Sequence, residues 1–178
     1  LIRSSNVGSL LIAQEIGEEK LKKFIDDARL LKNSDIQLEE VGNPLRFNWN
    51  KCKLETISFG HGITTTPLQA TTVYSILVNG GEIIKANLAK NKKREKYGRL
   101  FSEKTSKSIN SILRKVVSTD KGTAHLADID GYYVGGKTGT SQKYKNKQEN
   151  LNTFISIFPS QEPKYALLVM LENPKVAK

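Results

Sequence analysis

Apolar positions in the first two thirds of the chain recur at helical spacing, and those in the last third fall into short β-rich runs. Val7 to Ile16 is an apolar, helix-compatible stretch closed by Gly17, with Ser4 or Ser5 placed to cap its start. From Glu18 to Leu31, Leu21, Phe24, Ile25, Ala28, Leu30 and Leu31 alternate with charges and predict an amphipathic helix. Asn33 to Asn50 has no period and contains Asn43-Pro44, so it reads as loop. Gly60 to Pro67 reads as a turn, with Thr65 or Thr66 before Pro67 opening a helix that runs to about Val78 and stops at Asn79-Gly80-Gly81. A short strand at Glu82 to Lys85 and a surface excursion to Arg99 follow. Ser102 then caps a helix to about Ser118, with Ile109, Ile112, Leu113, Val116 and Val117 on its buried side. After a loop from Thr119 to Asp130, the runs Gly131 to Gln142, Thr153 to Phe158 and Tyr165 to Leu171 predict three antiparallel strands. Helices first and a sheet last argue an α+β architecture.

At 178 residues the chain can bury a core as a single domain, and no segment approaches the ~20 apolar residues of a membrane helix. The formal charge of +10 raises the question of a nucleic-acid partner. Its distribution answers against one. The run Lys90 to Lys96 has no interleaved aromatics and Lys143 to Lys147 contains only Tyr144, so both read as solvated loops suited to an anionic cell-wall or membrane surface. Cys52 is the only cysteine and has no neighbouring His, and Cys52, His61 and His125 have no metal-ligand spacing. No metal or cofactor is suggested.

The chemistry concentrates in Gly131-Tyr132-Tyr133-Val134-Gly135-Gly136-Lys137-Thr138-Gly139-Thr140-Ser141-Gln142. Gly135, Gly136 and Gly139 leave room for a backbone or ligand to lie against the strand. Lys137 adds a fixed cation, and Thr138 and Thr140 add hydroxyls able to hold a carboxylate. The amide of Thr140, on an edge strand, can point at a developing oxyanion. The plain alternative is a glycine-rich hairpin with a solvated lysine.

Further elements weigh against that alternative. Ser4-Ser5-Asn6 forms a Ser-x-Asn element ahead of Lys137-Thr138-Gly139. Phe59-Gly60-His61-Gly62-Ile63-Thr64-Thr65-Thr66-Pro67-Leu68-Gln69-Ala70, continuing to Asn79-Gly80-Gly81, and Gly122-Thr123-Ala124 lie between them. Together these resemble the transpeptidase domain of class B penicillin-binding proteins, peptidoglycan D,D-transpeptidases, from Ser4 to about Pro174. The resemblance implies the penicillin-binding-protein/β-lactamase-like fold, an antiparallel sheet with helices, here incomplete at both ends and comprising residues 1–178 as the C-terminal part of one such domain. It implies that Ser4 relays a proton toward the leaving group, that Asn6 bonds a substrate amide and that Ser5 is a spacer pointing away. It implies also that Lys137 sets positive potential beside Ser4, that Thr138 and Thr140 hold the terminal carboxylate, and that Gly139 lets the acyl chain lie along the strand. Partners on this reading are peptidoglycan stem peptides and β-lactams, with other cell-wall synthesis or division proteins as further partners. The place is the extracytoplasmic face of the bacterial inner membrane, with the anchor outside this chain.

In that family the acylated serine belongs to a Ser-x-x-Lys motif ahead of Ser-x-Asn, and here only three residues precede Ser4. One Ser-x-x-Lys is present, Ser118-Thr119-Asp120-Lys121, but it stands between the other two elements, at a helix end. Its order and setting both exclude it as the nucleophile. The expectation is a site wall without its nucleophile, in which the 178 residues alone form no acyl-enzyme. Glu39 and Asn43 share the four-residue spacing by which one class of β-lactamase holds its hydrolytic water, a pairing common by chance in polar loops. His61 and His125 are expected to be satisfied or solvent-facing. Two other functions fit part of the pattern: a serine β-lactamase or penicillin-sensing domain, which the Thr66-Pro67-Leu68-Gln69 segment disfavours, and a non-catalytic binding module for anionic polymers.

Overall fold

The structure, a computed structural model, describes residues 1–45, 49, 53–90, 93, 95–142 and 149–175. Cys52, the run Lys143 to Lys147, and Asn91, Lys92 and Arg94 of the other basic run lie outside the described residues. The chain divides into two compact units: Leu1 with Ser5–Lys107, and Ile2–Ser4 with Ser108–Lys178.

In the first unit, α1 (Asn6–Ile16) starts where the Ser5 hydroxyl accepts the Gly8 amide at 3.2 Å, so Ser5 is the cap. Gly17 ends it at φ 84°, a conformation that favours glycine. Helix α2 (Glu18–Asp27) stops short of the predicted Leu31, because Arg29 turns the chain at φ 58°. Helix α3 (Lys53–Ile57) was not predicted: five residues are too few to display a period. Helix α4 (Pro67–Val78) starts with Pro67 in its first turn and the Thr66 hydroxyl accepting the Gln69 amide at 3.1 Å. Its start is tied to the chain leaving α2, since Gln69 Nε2 donates to the Arg29 carbonyl at 2.6 Å and Thr65 Oγ1 to that of Leu30 at 2.9 Å. At its far end Ser106 Oγ donates to the Leu77 carbonyl at 2.8 Å and accepts from the Gly80 amide at 2.9 Å. Strands β1 (Glu82–Ile84) and β2 (Lys96–Arg99) pair antiparallel. Strand β2 falls inside the stretch read as a surface excursion; all four of its residues are exposed, so no alternation marks it.

Helix α5 (Glu103–Ser118) runs across the division after Lys107. Its second half carries Leu113, Val116 and Val117 into the core of the second unit. There Val116 and Val117, at 0% and 1% exposure, pack with Ala124 and Val134, and Ile2, Ala127 and Phe154 lie against them. Burying each of those two valines contributes about 1.5–3 kcal/mol. The sheet has the order β3-β4-β5, formed by Gly135–Gln142, Asn150–Phe158 and Tyr165–Glu172, all antiparallel. The first strand begins four residues later than the pattern predicted. Gly131 at φ 81° and Tyr133 at φ 50° bend the chain before it, and such angles do not continue a pleat.

Two glycine substitutions should act with opposite sign. A Cβ on Gly122 would lie 2.0 Å from the Val116 carbonyl oxygen, whereas on helical Gly8 it would meet only Ser5, at 3.6 Å. Gly122→Ala should therefore cost more than about 2 kcal/mol, and Gly8→Ala should stabilise by about 0.5–1 kcal/mol. Urea denaturation of the two variants checks both.

Candidate active site in the second unit

Strand β3 pairs with β4 along one side, setting Lys137 opposite Ile155, Thr138 opposite Phe154 and Gly139 opposite Thr153. Among the described residues its other side is unpaired. The three glycines hold it in place for different reasons. A Cβ on Gly135 would press on the backbone of α5 at Leu113 and Arg114, within 3.1–3.2 Å. On Gly136 it would lie 2.7 Å from the Ile155 carbonyl and the Phe154 ring, and on Gly139 2.7 Å from the Thr153 hydroxyl. Two of the three close approaches are thus by the protein's own backbone. Arg114 fastens the strand's start, donating at 2.7 Å to the Val134 carbonyl and through both terminal nitrogens to Asp128, at 2.7 and 3.1 Å.

Lys137 and Ser4, 133 residues apart in sequence, meet: Nζ donates to the Ser4 hydroxyl at 2.8 Å. It donates also to the Thr138 carbonyl at 2.8 Å. Burial alone lowers the proton affinity of Lys137 below the ordinary lysine range. Ser4 has φ 53°, a left-handed angle uncommon for a residue other than glycine and costing about 1–2 kcal/mol. The packing of Ile2 holds the segment there, together with the Thr123 amide, which donates to the Ile2 carbonyl at 3.4 Å. An ammonium has only protons to offer, so Ser4 Oγ must accept from it and keeps its own proton for a third atom.

Alternation places the side chains of Thr138 and Thr140 on the same side of β3. Thr138 Oγ1 donates to Thr123 Oγ1 at 2.9 Å, and Thr140 and Gly139 are exposed. Thr123 is the residue whose contact with the site the sequence reading missed; Gly122-Thr123-Ala124 was visible as a motif, but a single threonine signals nothing about its partner. Asn6 belongs to the first unit as the opening residue of α1, next to its cap Ser5.

The remaining candidates take structural places. His125 Nδ1 lies 3.2 Å from the Gly122 carbonyl, and His61 stands in tilted ring contact with Phe59. Ser118 closes α5, where the Thr119 hydroxyl donates to the Lys115 carbonyl at 2.7 Å. Asn43 accepts a hydrogen bond from Asn33, while Glu39 is exposed. The long signature from Phe59 to Ala70 caps and tethers α4 within the first unit. A cavity of about 300 Å³ in the first unit, lined by Gln37, Lys85, Leu88, Lys93 and Glu95 among others, has no serine, threonine or cysteine in its lining.

The family model for the penicillin-binding-protein transpeptidase domain matches residues 1–178. The probable peptidoglycan D,D-transpeptidase FtsI of Caulobacter vibrioides is 33% identical, the match covering 97% of this chain and 32% of that protein. Stage V sporulation protein D of Bacillus subtilis is 32% identical over 97% of this chain and 29% of its own length. Among solved structures, the transpeptidase domain of Burkholderia pseudomallei penicillin-binding protein 3 superposes with a TM-score of 0.86 at 23% identity, covering 96% of this chain and 54% of that one. Penicillin-binding protein 3 of Mycobacterium tuberculosis, solved in complex with ampicillin, gives 0.85 at 26% identity, covering 97% and 44%. The α+β, penicillin-binding-protein-like fold expected from the sequence is thus the one observed. The chain spans about a third of the length of these curated relatives and about half of these solved chains. Among the described residues no helix is long and apolar enough to cross a membrane.

Lys137 should titrate below the ordinary lysine range when its side-chain carbon and nitrogen resonances are followed by NMR. Because its folded value is lowered, the unfolded chain binds the proton more tightly over the interval up to about pH 10.4. The contribution of this group to stability therefore rises with pH across that interval and is lost as pH falls through the folded value. Urea denaturation should show the gap between wild type and Lys137→Met changing in that direction.

Proposed function

The chain belongs to the penicillin-binding-protein transpeptidase family, and from that premise we propose that residues 1–178 form the C-terminal part of a peptidoglycan D,D-transpeptidase domain. Its substrates are cell-wall stem peptides, and β-lactams are its covalent inhibitors. The observation that carries the reading is the 2.8 Å contact between Lys137 Nζ and Ser4 Oγ.

The reaction runs through a serine supplied by a Ser-x-x-Lys segment that these 178 residues do not contain ahead of Ser4. That serine attacks the carbonyl between the two terminal D-alanines. The tetrahedral oxyanion takes hydrogen bonds from the Thr140 amide and the serine's own amide. As the carbon–nitrogen bond breaks, Ser4 passes its proton to the departing D-alanine amine and takes up the proton released by the attacking serine, while Lys137 keeps its own protons and holds Ser4 in place through their hydrogen bond. An amine from a neighbouring strand then attacks the ester, forming the cross-link and returning a proton to the serine. Thr138 and Thr140 hold the terminal carboxylate, Asn6 bonds a substrate amide, and Gly139 leaves the strand flat where the acyl chain lies. The ampicillin complex of the Mycobacterium tuberculosis relative supports β-lactams as ligands. The name of the Caulobacter vibrioides relative, a probable peptidoglycan D,D-transpeptidase, supports a role in cell-wall synthesis; with that role the proposal includes partners from the cell-wall synthesis or division machinery and a place at the extracytoplasmic face of the inner membrane.

Mass spectrometry after exposure to benzylpenicillin tests the proposal. The full-length gene product should gain one covalent adduct at a Ser-x-x-Lys serine and hold it well beyond seconds, and the 178-residue chain should gain none. Lys137→Ala in the full-length protein should slow adduct formation by about 100-fold or more. An adduct on Ser118 of the isolated chain would overturn the assignment, and release within seconds would point to a hydrolase.

A further inference from the structure

We infer that Thr123 is a positioning residue for the carboxylate-binding hydroxyl of Thr138, an inference that rests on the transpeptidase reading above. Thr123 makes two contacts with parts of the site that are remote from each other in sequence. Its hydroxyl lies 2.9 Å from Thr138 Oγ1, and its amide donates to the carbonyl of Ile2, two residues ahead of Ser4, at 3.4 Å. One residue therefore touches both the strand that carries Lys137 and the segment that carries Ser4.

Its own position is fixed from both sides. Gly122 turns back over the end of α5, with its amide donating to Thr119 at 2.8 Å, and no side chain fits at that point. Ala124 donates to the Val116 carbonyl at 3.3 Å and is buried among Val116, Val117 and Val134. Thr123 thus stands on a turn anchored in the core, as a group that orients another must.

Proton counting gives the role. Each hydroxyl has one proton and can accept as well as donate. In the structure Thr138 gives its proton to Thr123, which leaves it only lone pairs for any other partner. A carboxylate needs a proton from Thr138, and releasing it would leave two oxygens facing each other at 2.9 Å unless the bond reverses. Thr123 has the proton that reverses it. When Thr123 donates to Thr138 Oγ1, the Thr138 proton is free for the ligand, and a hydroxyl that accepts one hydrogen bond is a stronger donor in the next. The two threonines form a reversible pair that adapts to an anionic ligand without moving the strand.

The test uses the full-length gene product and two probes, benzylpenicillin and its methyl ester, which lacks the anionic carboxylate. Second-order adduct formation is measured for wild type, Thr123→Ser, Thr123→Val and Thr123→Ala, with thermal melts as the folding control. Thr123→Val and Thr123→Ala should react about tenfold more slowly with benzylpenicillin and within about twofold of wild type with the ester, while Thr123→Ser, which keeps the hydroxyl, should recover most of the loss. Equal losses with both probes, or no loss in either variant, would overturn the role of Thr123 and leave the transpeptidase reading standing. A wild-type protein that forms no adduct with either probe would overturn both. If the valine variant does not fold, the alanine and serine variants carry the comparison.

Discussion

A lysine ammonium partly withdrawn from water, bonded to a hydroxyl and a carbonyl and to no carboxylate among the described residues, is the interaction on which the site depends. Withdrawing a cation from water is unfavourable, and two neutral acceptors only partly offset the loss. Lys137 is held there by what surrounds it. The burial of Val116, Val117 and Val134 fixes α5 against the start of β3, Arg114 ties Val134 to Asp128, and Ile2 packs on the same cluster. The hydroxyl partner thus arrives as a consequence of core packing, and Ser4 accepts a left-handed backbone angle to meet the ammonium.

The same cluster explains why the strand is poor in side chains. Gly135 lets the backbone of α5 approach, and Gly136 lets the Phe154 ring lie over β3. Both serve the rigidity of the strand. Gly139 differs, because its nearest obstacle is the hydroxyl of the Thr153 side chain and not backbone, and it is exposed. A run of glycines that looks uniform in sequence divides into two that fasten the strand and one left open.

What could be read from sequence follows from what is local. Caps and stops are local, so Ser4 or Ser5, Thr65 or Thr66 with Pro67, and Ser102 located the starts of α1, α4 and α5, with Ser5 and Thr66 the residues that cap the first two, and Gly17 and Gly80 located the ends of α1 and α4. Long alternating runs are local as well, and β4 and β5 were found within a few residues. Short or fully exposed elements carry no periodic signal, which hid α3 and β2. The bend at Gly131 and Tyr133 was hidden by composition, since two adjacent tyrosines favour a strand wherever tertiary contacts permit one. Lys137, Thr138 and Ser4 were legible through motif order, whereas the contact of Thr138 with Thr123 needed coordinates. The signature from Phe59 to Ala70, which weighed most in recognising the family, works as capping and tethering in the first unit. A motif can identify a fold by marking how it is built.

Net charge shows the same distinction between presence and placement. Of 28 basic residues, Lys22 and Lys85 have their proton affinity raised by hydrogen-bonded carboxylates, Glu18 and Glu95, and each of those pairs is already neutral. Lys137 is shifted the other way by burial, which disfavours the charged form. An ammonium in that state gains most from an arriving anion, and the two hydroxyls of Thr138 and Thr140 stand on one side of the adjacent strand positions. On the transpeptidase reading proposed above, the terminal carboxylate of a stem peptide would supply that anion at the edge of β3, beside the Thr140 amide, and binding and catalysis would then draw on one local field.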